Sequence, residues 1–133
     1  MSTEARVAIV MANDVITARQ KGRELAERLG LSSTDVTLVA TAITEIARNI
    51  VEHADKGELT MALVRDGGRD GIRVVARDSG PGIADIALAM RDGYATGDGL
   101  GLGLPGARRL MSEFELVSIV GEGTTVTMTK WRS

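Results

Sequence analysis

A glutamate and an asparagine four positions apart, Glu45 and Asn49, lie in a stretch with helical apolar spacing, Thr41-Ala42-Ile43-Thr44-Glu45-Ile46-Ala47-Arg48-Asn49. Residues at i and i+4 stack on one face of a helix, so a carboxylate and an amide would project side by side. At about 100° per residue, that face falls roughly 90–130° from the centre of the apolar stripe. This is the border of the buried side, where a polar group is held by the core and still reaches a pocket. Taken alone, such a pair is most often a solvated helix flank.

A second stretch carries a different chemistry. Gly97-Asp98-Gly99-Leu100-Gly101-Leu102-Gly103-Leu104-Pro105-Gly106 precedes the helical run Ala107-Arg108-Arg109-Leu110-Met111. Glycines leave backbone N–H groups uncovered, and a helix start directs them to one point, which makes a cradle for phosphate. The letters Gly101-x-Gly103-x-x-Gly106 also satisfy a dinucleotide fingerprint. That fingerprint needs a strand directly before the glycines and an acidic residue about 20 positions on, and the segment from Ile86 to Asp98 reads as helix and then irregular chain. A flexible linker would seldom alternate glycine with leucine so regularly. The pattern points to a loop that closes over something.

Two shorter boxes complete the set. Asp78-Ser79-Gly80-Pro81-Gly82 follows a strand; it has turn chemistry, yet Gly80 and Gly82 also clear the wall beside a carboxylate and leave room for a flat ring. A carboxylate accepts hydrogen bonds and donates none, so it would select an exocyclic amino group such as that of adenine. In Gly121-Glu122-Gly123-Thr124-Thr125, the glycines suit a hairpin turn, and Thr124 or Thr125 could set a hydroxyl beside the same ring.

The elements that must position these boxes are legible from periodicity. Arg6–Met11 reads as a strand, and Asn13 as the cap of a helix that Gly30 stops. Ser32 or Ser33 caps a longer helix running to about Asp55, with the stripe Val36, Val39, Ile43, Ile46 and Ile50. Strands over Glu58–Val64 and Ile72–Ala76 flank the turn residues Asp66 to Gly71. A short helix over Ala84–Arg91, the glycine loop, and a helix over Leu104–Ser112 come next. Strands at Phe114–Val120 and Thr124–Trp131 end the chain. The order βααββααββ predicts an α+β fold: a two-layer α/β sandwich, mostly antiparallel, with helices on one face.

Composition narrows the function. A chain of 133 residues with 44% hydrophobic content is expected to form one domain, residues 1–133, with a real core. The absence of cysteine excludes a disulfide scaffold and any thiolate metal site, and fits a reducing cytoplasm. The apolar run Val7–Ala12 is too short for a signal or membrane segment. A net charge of −2 and only Tyr94, Phe114 and Trp131 as aromatics give neither the basic face nor the stacking rings of a nucleic-acid binder.

Four boxes in the order ExxxN, DxGxG, glycine-rich loop, GxGT resemble the GHKL ATPase superfamily, which includes gyrase, histidine kinases and MutL. The resemblance covers essentially the whole chain. It implies a Bergerat-type ATP-binding fold in which Asn49 holds a Mg²⁺ ion bridging the ATP phosphates. Glu45 would act as general base on a serine or threonine hydroxyl, or orient it. Asp78 would bind the adenine amino group, Gly80 and Gly82 would give the ring space, and Thr124 or Thr125 would add a water-mediated bond. Gly99, Gly101 and Gly103 would wrap the phosphates. The glycine loop holds no lysine, which leaves Arg48 and Arg108 as candidates to meet the γ-phosphate.

The chain has no room for a dimerisation segment with a phospho-acceptor histidine, and its single histidine, His53, reads as a satisfied helix-flank residue. Among small members the details resemble the bacterial anti-sigma-factor serine/threonine kinases, and within them the switch kinases of stressosome signalling. That likeness implies STAS-domain partner proteins as substrates and, on release, activation of a downstream phosphatase. Arg19, Gln20 and Arg23 on the first helix are candidates for a partner surface. The competing expectation is a nucleotide-gated binding module or anti-sigma factor acting by sequestration, with catalysis incidental. The intact Glu45/Asn49 pair favours the enzyme.

Overall fold

The computed structural model describes residues 3–54, 56–82 and 103–132. β1 (Glu4–Ile9) alternates, burying Val7 and Ile9 and exposing Glu4, Arg6 and Ala8. The chain then turns into α1 (Ala12–Leu29). Asn13 is not its cap: Met11 holds the cap position, and the Asp14 carboxylate accepts from the N–H groups of Val10 (2.8 Å) and Met11 (3.0 Å). A carboxylate in the first turn reaches back to N–H groups at the helix entrance and suits the positive helix end, so the helix begins before Asn13. Gly30, left-handed at φ +88°, ends α1 as expected.

Ser32 starts α2 (Ser33–His53), its Oγ accepting from the Asp35 N–H at 3.1 Å. All five residues of the expected stripe are buried, joined by Ala40, Ala42 and Ala47. β2 (Gly57–Asp66) and β3 (Arg69–Asp78) form a hairpin around Gly67-Gly68. α3 (Gly103–Leu110), β4 (Glu113–Ile119) and β5 (Gly123–Trp131) follow. The expected helix over Ala84–Arg91 and most of the glycine loop lie outside the described residues.

Five strands in the order β1-β2-β3-β5-β4 make one sheet whose neighbours all run antiparallel. Ile9, Leu59, Met61, Ile72, Val74 and Met128 face Ile43 and Ile46 of α2 across a core from which water is excluded. The fold is the two-layer α+β sandwich anticipated from the pattern. α1 can lie close on α2 because residue 22 is glycine: a Cβ there would overlap Ile43 Cδ1. At the far end, Lys130 Nζ donates to the Leu110 carbonyl at 3.0 Å and lies 3.8 Å from Asp35, tying the end of α3 to the start of α2.

Candidate nucleotide site

The ladder registers bring one end of the sheet together. Asp78, the last residue of β3, is flanked by Gly57 of β2 and Thr124 of β5. Successive side chains alternate in a strand, so Asp78 shares the helix-facing side with Ala76, Val74 and Ile72, and Thr124 shares it with Val126 and Met128. The two are neighbours on one face. Thr125 pairs with Arg77 and belongs to the opposite face, so the register brings Thr124 and not Thr125 beside Asp78. Thr124 is only 6% exposed, and its Oγ1 lies 2.8 Å from Ser118 Oγ. Ser118 had no mark in the sequence; a serine in an alternating strand gives no signal until the pairing of β4 with β5 is known.

The turn after Asp78 is held on both sides. Asp78 Oδ1 accepts from the Gly80 N–H at 2.9 Å, and the Gly121 N–H donates to the Pro81 carbonyl at 2.9 Å. A Cβ on Gly80 would come within 2.8 Å of Ala54 Cβ, and one on Gly82 within 2.5 Å of the Ile119 carbonyl oxygen. Both glycines of the DxGxG box therefore serve the close fit of this turn between the end of α2 and the β4–β5 turn.

Beside the turn opens a cavity of about 590 Å³, lined by Val51, Glu52, His53, Ala54, Ser79, Gly80, Pro81 and Gly121. That volume lies within the range of small-molecule sites. His53, read from sequence as a flank residue, forms part of this wall. It stands four residues after Asn49, about one turn further along α2, and neither Asn49 nor Glu45 is among the lining residues.

The Glu45 side chain is only 12% exposed. Its Oε2 accepts from the Gly103 backbone N–H at 2.9 Å, which puts a negative group on the first residue of α3. Arg48 approaches the other oxygen, with Nη1 4.0 Å from Oε1, and its Nε lies 4.0 Å from Glu52. Asn49 is half-buried on the next turn of the same helix. Arg108 is exposed on α3. Of the three loop glycines, Gly103 is placed at the start of α3, while Gly99 and Gly101 lie outside the described residues.

The donor set bears on a nucleotide and its metal. The Asp78 carboxylate accepts hydrogen bonds and donates none, which suits an adenine amino group; of the described residues assigned to the nucleotide, only Gly80 lines the 590 Å³ cavity. No group of three or more His, Cys, Asp or Glu among the described residues could form a protein-only metal cage. Mg²⁺ is commonly held by one or two protein oxygens together with substrate phosphates, so a single amide such as Asn49 fits an ion that arrives with the nucleotide.

A family model described as the histidine kinase-like ATPase domain matches residues 11–130. The chain belongs to that family. It is 46% identical over 131 residues to the serine/threonine-protein kinase RsbT of Bacillus subtilis (strain 168), covering 98% of both chains. An anti-sigma F factor of Caldanaerobacter subterraneus subsp. tengcongensis is 29% identical over 118 residues, covering 86% of this chain and 82% of the relative. Among solved structures, the RsbU and RsbW domains of Rv1364c from Mycobacterium tuberculosis superpose with a TM-score of 0.64 at 25% identity, covering 97% of this chain. The present chain spans one third (33%) of that longer protein. The likeness to RsbT runs along both chains, and this histidine kinase-like ATPase is a protein serine/threonine kinase that uses ATP. No helix among its described residues is long and apolar enough to cross a membrane.

Proposed function

We propose that the kinase phosphorylates STAS-domain partner proteins in a partner-switching pathway and, once released from them, activates a downstream phosphatase. In this reading residues 1–133 act as one cytoplasmic kinase domain. The hydrogen bond from Gly103 to Glu45 carries the site assignment, because it brings the ExxxN helix to the start of the glycine-box helix. Glu45 would take the proton of a substrate serine or threonine hydroxyl as its oxygen attacks the γ-phosphorus. The new O–P bond forms as the bond to the β,γ-bridging oxygen breaks, and ADP leaves. Asp78 would accept from the adenine amino group, Gly80 and Gly82 would let the turn that carries it pack against Ala54 and Ile119, and Thr124 would add its hydroxyl from the neighbouring strand. Gly99, Gly101 and Gly103 would wrap the phosphates; the Gly103 N–H is already donated to Glu45, so the donors from this loop would be those of Gly99 and Gly101. Asn49 would hold Mg²⁺, which neutralises phosphate charge when bound.

The 46% identity to RsbT over nearly the whole chain supports the switch-kinase reading. The anti-sigma alternative has the more distant likeness, 29%, in its favour. The deciding experiment mixes purified protein, γ-labelled ATP, Mg²⁺ and a STAS-domain protein of the same organism, with Asn49→Ala alongside. Label on serine or threonine of the partner, absent with the variant, is the expected result. Saturable ATP binding with no label would favour a nucleotide-gated binding module.

A further inference from the structure

Arg48 lies between two carboxylates of its own helix, 4.0 Å from Glu45 Oε1 through Nη1 and 4.0 Å from Glu52 Oε1 through Nε. Ion pairs at i,i+3 and i,i+4 on an open helix surface contribute little. Two features set this one apart. The Glu45 side chain is 12% exposed, where solvent screens a charge poorly, and its second oxygen is already held by the Gly103 N–H at 2.9 Å. The carboxylate thus has a backbone donor from the start of α3 bonded to one oxygen and a cation on α2 at ion-pair distance from the other.

That difference matters because the terminal torsion of glutamate is soft. A carboxylate bonded at one oxygen alone turns about its last bond, whereas a cation beside the other oxygen favours the orientation that points that oxygen towards it. Phosphoryl transfer depends on such positioning more than on covalent help. Glu52, on the cavity wall, faces the other edge of the same guanidinium and restrains it. With two carboxylates against it, the arginine's charge is largely compensated, which makes it a poor ligand for a phosphate.

We propose that Arg48 is a positioning residue for phosphoryl transfer: it fixes the plane of the Glu45 carboxylate, and Glu52 fixes Arg48. This rests on the reading of Glu45 as the base.

The test is steady-state transfer to the STAS-domain protein that the wild type phosphorylates, with ATP varied. The enzymes compared are wild type, Arg48→Ala, Arg48→Lys, Glu52→Gln and Glu45→Ala. Arg48→Ala is expected to lower kcat at least about tenfold while the ATP KM stays within about threefold. Its melting temperature should stay within about 2 °C of wild type, because the arginine itself is partly exposed and both its contacts are at 4.0 Å. Arg48→Lys keeps the charge and should regain part of the lost kcat; Glu52→Gln should fall between Arg48→Ala and wild type. An unchanged kcat in Arg48→Ala overturns the proposal, as does a loss confined to the ATP KM, which would make Arg48 a phosphate ligand. If Arg48→Ala fails to fold, unchanged kcat in both Arg48→Lys and Glu52→Gln overturns it equally. Wild-type transfer by Glu45→Ala would remove the base reading and this proposal together. A dead Glu45→Ala beside a fully active Arg48→Ala removes the proposal alone.

Discussion

Gly123 lies directly against the Asp78 carbonyl: a Cβ at position 123 would overlap that oxygen and crowd Ser79 Cα. The glycine also sits at φ +126°, a conformation other residues rarely adopt. Steric room and backbone freedom are therefore both required at the point where β5 meets the end of β3. Gly123→Ala is expected to destabilise the fold by about 2 kcal/mol or more. Because the displaced atoms belong to Asp78 and Ser79, ATP affinity should fall with it. Thermal melting and calorimetric titration with ATP check the two effects; a variant that melts and binds like wild type would contradict this account.

Asp78 has two tasks that a conservative change separates. Its Oδ1 accepts from the Gly80 N–H, and an asparagine oxygen can do the same, so Asp78→Asn should keep the turn and the fold. What the amide lacks is a second acceptor oxygen for the adenine amino group. ATP affinity is expected to drop at least about tenfold, the worth of one hydrogen bond left unmade in a site. Titration of folded Asp78→Asn with ATP is the measurement, and undiminished affinity would remove Asp78 from the adenine site.

Glu45→Ala should split binding from chemistry. Loss of a general base costs about 10²–10⁴-fold in rate. The nucleotide contacts assigned to Asp78 and Thr124 lie elsewhere, so ATP affinity should stay within a few-fold. Removing the carboxylate also leaves the Gly103 N–H without this acceptor, a cost to stability of about 1 kcal/mol. Transfer at close to the wild-type rate would remove the base assignment.

These residues differ in how far they could be read from the chain. Gly30 and a serine cap at Ser32 or Ser33 were legible because a helix stop and a helix cap are local events, and the structure chooses Ser32. Asp14 was not, since its carboxylate reaches back to the N–H groups of Val10 and Met11, and the letters do not show that the helix starts before Asn13. β3 was expected only over Ile72–Ala76, as Arg69, Asp70, Arg77 and Asp78 look like turn residues; pairing with β2 draws in Arg69 and Asp70, and pairing with β2 and β5 on both sides draws in Arg77 and Asp78. That extension makes Asp78 a strand residue with a defined face, and only the register distinguishes Thr124 from Thr125. The Glu45–Gly103 bond joins residues 58 positions apart. Composition and periodicity report local preferences and cannot report such a contact. His53 was visible as a residue four after Asn49, but the cavity it lines depends on where the Ser79–Pro81 turn folds back against α2.

The packing of α1 on α2 offers a test of the scaffold beneath the site. Gly22 is buried, and a Cβ there would overlap Ile43 Cδ1, with Met61 Sδ 3.5 Å away. Ile43 is fully buried two residues before Glu45, so it cannot swing into solvent to make room. Gly22→Ala gains helix propensity of about 1 kcal/mol, but overpacking a close-fitted core typically costs about 1–3 kcal/mol. A net loss of stability is expected. The offending atom is the terminal methyl of isoleucine, which valine lacks, so Gly22→Ala/Ile43→Val should recover part of that loss. Ile43→Val alone should cost about 0.5–1.5 kcal/mol. Denaturant unfolding of all four proteins gives the coupling energy directly. A favourable coupling of about 1 kcal/mol places the clash where the structure has it; strictly additive losses would mean that α1 shifts as a body to accommodate the methyl group.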